Sequence, residues 1–155
     1  MATPADAELI LKLYDFRREA KMRDARNWFV NFNPSSYEEF AKVVFAFGAQ
    51  ENAWFRQVTT YWETAASLVV HGTIDEELFF DTQGEMWFVY TKLKPYLAQF
   101  RQQLKAPEGL KNVEAVATRT PRGQQRIALM EERLKMFAQM RAQQAQSQAQ
   151  AAKTA

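Results

Sequence analysis

Residues that start and stop helices stand at the borders of apolar stripes spaced three and four apart, and this punctuation confines the chain to a helical fold. Thr3-Pro4 followed by Asp6 reads as an N-cap, a first-turn proline and an acidic third residue. Behind it, Leu9, Leu13, Phe16 and Ala20 share one face of a helix predicted from Pro4 to about Asn31. Asn33-Pro34 ends it, because the residue before proline is pushed out of the helical region. Ser36 and Glu39 make a capping box for a second helix through Phe40, Val43, Val44 and Phe47, closed by Gly48. A third runs from Glu51 to Val70 with Phe55, Val58, Trp62, Ala65 and Val69 at helical spacing. Gly72 suits the left-handed position after it, and Thr73 with Glu76 opens a short fourth.

From Gly84 onward Met86, Val89, Leu93, Leu97, Phe100 and Leu104 lie on one face. Pro95 inside that pattern predicts a kink or two helices meeting end to end. Trp87-Phe88-Val89-Tyr90 has the residue types of a strand, but its neighbours keep the helical period. Residues 105–120, with Pro107 and Gly109, read as a connector with one helical turn near Val113–Ala117. Thr120-Pro121 opens a last helix, predicted over 121–142, with a docking seam of Ile127, Met130, Leu134 and Phe137. Residues 143–155 offer only Ala among apolar types and are expected to form a loose Ala/Gln-rich tail. The expectation is an all-α fold: a single five- or six-helix bundle in residues 1–104, the connector, an accessory C-terminal helix, and the tail.

Composition narrows the function classes. With 155 residues the chain makes one domain, and only 5 Gly and 5 Pro disfavour a turn-rich β architecture. The net charge of +2 gives no global field for nucleic acid or anionic lipid. Zero Cys removes disulfides, thiol nucleophiles, zinc thiolates and iron–sulfur ligation. The amino terminus lacks the basic start of a signal peptide, and no apolar run approaches the ~20 residues of a membrane span. A cytoplasmic protein without membrane contact is expected.

Glu63, Ser67 and His71 invite comparison with a catalytic triad. Spacing of four places them on one helix face, successive members ~6 Å apart, with Ser67 in the middle. A triad needs the imidazole in the middle, so no proton relay follows; a polar face ending in a histidine that suits the helix dipole is the plainer reading. His71 is the only histidine, and Leu68 stands three residues before it where a di-iron bundle would place Glu. Asp75, Glu76, Glu77 and Asp81 lack calcium-loop spacing and read as a solvated acidic helix start. Glycines at 48, 72, 84, 109 and 123 are too dispersed for a phosphate loop or dinucleotide fingerprint. No catalytic residue, cofactor site or metal site is expected.

The basic residues Arg17, Arg18, Lys21, Arg23 and Arg26 spread around their helix and interleave with Asp15, Glu19 and Asp24. Paired surface charges account for them, with nucleic-acid contact as the rival reading. Tyr61-Trp62, Phe79-Phe80 and Trp87-Phe88 are adjacent aromatics that point in different directions on a helix and cannot all face a single core. Packing within the chain, a homo-oligomeric or partner interface, and a small-molecule pocket all remain open for them. Trp62, Glu63, His71, Trp87 and Phe88 are the candidate pocket or interface residues.

Two stretches carry a resemblance: Ala7-Glu8-Leu9-Ile10-Leu11-Lys12-Leu13-Tyr14-Asp15-Phe16-Arg17-Arg18 through Ala25-Arg26, and Tyr61-Trp62-Glu63 through Val70-His71-Gly72-Thr73-Ile74-Asp75 with Lys94-Pro95 and Arg101. Together they resemble an uncharacterised bacterial family of small helical proteins, a domain of unknown function, over residues 5–117. The resemblance implies a bacterial origin and an all-helical fold, and it brings no functional residue. The expected function is a non-catalytic interaction or structural protein, self-associating through aromatic surface or the C-terminal helix. A small-molecule-binding protein or enzyme with an aromatic-lined pocket near Glu63 and His71 is the alternative, and nucleic-acid binding through Arg17–Arg26 the third.

Overall fold

The computed structural model describes residues 1–154 and is helical throughout, with no strand among them. The elements are α1 (Pro4–Arg18), α2 (Ala20–Asn31), α3 (Tyr37–Val44), α4 (Gln50–Val70), α5 (Glu76–Thr82), α6 (Glu85–Leu93), α7 (Leu97–Leu104), α8 (Lys111–Thr118) and α9 (Pro121–Thr154). Trp87 to Tyr90 lies inside α6, as the helical period of its neighbours requires.

The predicted first helix is two. At Glu19 the backbone turns extended (ψ 143°), and its carboxylate accepts the Met22 amide at 3.0 Å, capping α2. At the other end of α1 the Thr3 amide donates to Asp6 at 2.7 Å, closing the capping box. The other oxygen of Asp6 accepts the Asp75 amide at 2.7 Å, so one carboxylate ties the start of α1 to the start of α5. Bonds from the Thr3 hydroxyl and amide, then from Asp75, hold the Asp6 carboxyl below its ordinary range. Pro95 falls between α6 and α7, two helices meeting end to end as expected, and Gly72 has φ 69° after α4.

The core is organised around α4, which packs against α2 on one side and α8 on the other. Ala65 and Ala66 are both fully buried, their small side chains letting neighbours approach on two faces, and Trp62 fills the space between. This sandwich resolves the adjacent aromatics. Phe79 and Phe80 are both buried, as are Trp62 and Trp87, because the central helices have an inner surface on more than one side. Tyr61 remains half-buried, its hydroxyl donating to the Leu13 carbonyl at 2.6 Å.

The expected connector over 105–120 contains a core helix. Val113, Val116 and Ala117 of α8 are fully buried, and the chain reaches them through left-handed Lys105 (φ 53°) and Leu110 (φ 57°). Arg101 holds this turn by donating to the Gly109 carbonyl and to Glu114, each at 2.8 Å. The final expectation that changes is the tail: α9 continues through Thr154, with every side chain from Ala138 to Ala152 exposed. The expected loose tail is therefore helical as far as it is described; its last residue, Ala155, lies outside the described residues. No helix is long and apolar enough to cross a membrane among the described residues.

Candidate functional site

The sequence-predicted residues separate into four places. Trp62 and Trp87 are fully buried core residues. Glu63 reaches across to α8, where its carboxylate accepts the Asn112 amide at 3.1 Å, the Asn112 side-chain nitrogen at 2.7 Å and the Val113 amide at 3.0 Å. It caps a helix that lacks a cap of its own, with an anion at the positive end of the dipole. His71 is exposed at the end of α4, two turns away. Ser67 donates to the Thr64 carbonyl at 2.7 Å, so Glu63, Ser67 and His71 do not assemble. Among the described residues no three His, Asp or Glu side chains converge as a metal site.

Phe88 is the half-buried member of that set that borders a groove. With Phe29, Val30 and Val58 from the body and Leu134 and Phe137 from α9, it lines a groove of about 460 Å³ between α2, α6 and α9. Glu85 also lines it and is held bidentately by Arg26, whose Nε donates at 2.8 and 3.1 Å, with Arg17 at 3.9 Å. Those two arginines of the predicted basic cluster turn inward, while Arg18, Lys21 and Arg23 stay exposed.

Lys92 lies behind the groove wall. Its ammonium donates to the carbonyls of Phe29 at 2.7 Å and Val30 at 3.2 Å, at the C-terminal end of α2. It sits 5.0 and 5.1 Å from the ring centres of Phe29 and Phe88, with no carboxylate in ion-pair range among the described residues. Burial lowers its pKa to about 7, and the positive charge of Arg141 on α9 pushes in the same direction.

The four residues of the predicted docking seam differ in exposure. Ile127 is buried, Met130 and Leu134 are half-buried, and Phe137 is 41% exposed at the groove edge. Sequence reasoning missed what anchors α9. Arg126 donates to the Phe80 carbonyl at 2.6 Å, and its guanidinium lies 4.8 Å from the Trp87 ring centre. Arg122 of α9 pairs with Glu77 and, at 2.7 Å, with Asp81, both on α5 and solvent-exposed as expected; Arg119, just before α9, pairs with Glu76 at 2.8 Å. The clue was in the sequence: arginines in the first turns of a helix oppose its dipole and call for partners elsewhere. Gly123 is the other anchor, since a Cβ there would meet the Ala117 carbonyl oxygen at 2.4 Å.

A second apolar stripe on α9 faces away from the body. Leu129, Met136 and Met140 are 49, 47 and 48% exposed. At 100° per residue they fall within about 40° of one another, and about 120° around the helix from the seam.

A family model described as a domain of unknown function (DUF4760) matches residues 2–120. The match spans α1 to α8 and closes on Thr120, whose hydroxyl accepts the Gly123 amide at 3.0 Å to cap α9. No curated protein and no solved structure matches the chain.

Proposed function

The chain belongs to the DUF4760 family, a domain of unknown function, and from that premise we propose that it is a non-catalytic interaction protein that self-associates through the outer face of α9. The observation that carries this is the stripe of Leu129, Met136 and Met140, half-exposed on a helix whose seam face packs on the body. The partner is a second copy because the stripe complements itself. Laid antiparallel, two α9 helices bring Leu129 of one against Met140 of the other, and Met136 against the aliphatic stem of Arg133. In that register Glu132 falls one helical turn from Arg133 of the second copy. The exposed stretch beyond Phe137 then runs beside the docked half of the other α9, which extends the contact well past three side chains. A cytoplasmic setting goes with this reading.

Sedimentation velocity tests it. Wild-type protein should travel at twice the 18.0 kDa chain mass, and Leu129→Asp with Met140→Asp should give a monomer of unchanged helicity. A wild-type monomer across the accessible concentration range, or a dimer indifferent to both aspartates, overturns the proposal.

A further inference from the structure

We propose that the groove between α2, α6 and α9 binds an amphipathic anion: a single apolar chain carrying one carboxylate. The walls supply the apolar half. Phe29, Phe88, Leu134 and Phe137 converge on a space of about 460 Å³, within the range of small-ligand sites, and Phe137 stays 41% exposed beside it. This contact is distinct from self-association, because it uses the seam face of α9, about 120° around the helix from the stripe.

The charge pattern supplies the other half. Glu85 is the one carboxylate among the groove-lining residues, and Arg26 and Arg17 occupy it. Arg23, at the rim, has Glu19 one turn behind it on the same face. Arg141 also lines the groove, and no ion pair reaches it or Lys92 among the described residues. Lys92 stands behind the wall with its ammonium on the Phe29 and Val30 carbonyls, so Arg141 is the cation without an ion pair that faces the groove. Capping α2 explains the Lys92 ammonium, but no carboxylate among the described residues answers Arg141 at the edge of this apolar groove. An anionic head group at the groove edge pairs with the Arg141 guanidinium, while its chain covers the aromatic walls. A neutral or cationic head meets the same walls without that gain.

The test is calorimetric titration with sodium dodecanoate below its micelle concentration, with dodecanol and dodecyltrimethylammonium as chain-matched controls. Dodecanoate should bind once per chain and about tenfold or more tighter than either control, the worth of one charge-assisted hydrogen bond. Arg141→Glu, at an exposed position, should weaken it by a similar factor with circular dichroism unchanged, and Phe137→Asp should weaken it independently. Equal binding of all three head groups, no saturable dodecanoate binding, or indifference to Arg141→Glu overturns the proposal. Capture by anionic phosphatidylglycerol vesicles without saturable binding of free dodecanoate also overturns it, since the contact would then be with a lipid surface.

Discussion

The two halves of α9 share one helix and are held by different forces. The first half is fixed from outside: Arg122 and Arg126 grip α5 and the Phe80–Trp87 pair, Gly123 lets the helix lie against α8, and Ile127 is buried. The second half, exposed from Ala138 to Ala152, reaches the groove through Arg141 and otherwise relies on the intrinsic helix preference of Ala, Gln, Lys and Arg. Helical conformation and tertiary anchoring are therefore separable along a single element. A seam of apolar residues marks where a helix leans on its domain, but charges and one glycine decide where it is pinned.

The largest test of this contrast lies beneath the anchored half. Glu63→Ala removes the charged acceptor at the start of α8, the helix on which α9 rests, and should cost about 2–3 kcal/mol in urea unfolding. A loss below about 0.5 kcal/mol would show that α8 does not depend on this cap. Next comes Gly123→Ala. A methyl aimed at the Ala117 carbonyl outweighs the gain in helix preference, so stability should fall by about 1–2 kcal/mol net. A stabilised variant would mean that the α8–α9 contact is slack. Leu134→Asp, at a half-buried site, should lower stability by about 1 kcal/mol, read as a fall in melting temperature. Smallest of all, truncation after Ala142 should leave the unfolding free energy of the monomeric Leu129→Asp, Met140→Asp variant within about 0.5 kcal/mol. If truncation costs as much as Leu134→Asp, the two halves are not held differently.

Local signals in the sequence were legible where the cause is local. Thr3, Ser36, Gly72 and Pro95 mark boundaries because capping, left-handed geometry and a missing amide act within one turn. The resemblance to a family of unknown function, drawn from stretches around Ala7–Arg26 and Tyr61–Asp75, agrees with the match over residues 2–120. Glu19 was not legible as a break: it sits in a good helical stripe, and its capping role depends on the chain turning there. Nor was α8 legible as core, since the acidic group that starts it lies 49 residues away on α4. The groove requires both α9 and α2 in place; Leu134 and Phe137 share one predicted seam, yet nothing in the sequence joins them to Phe88. Long-range partners leave a trace in sequence only as residues that look misplaced, such as arginines at a helix start.

Trp87 lies fully buried with the Arg126 guanidinium 4.8 Å from its ring centre, while the other three tryptophans belong to α2 and α4. The molecule consequently carries an optical probe of its own last helix. With Trp28, Trp54 and Trp62 replaced by phenylalanine, emission from Trp87 alone would shift to the red when water reaches the indole. Detachment of α9 could then be followed in real time, apart from unfolding of the body beneath it.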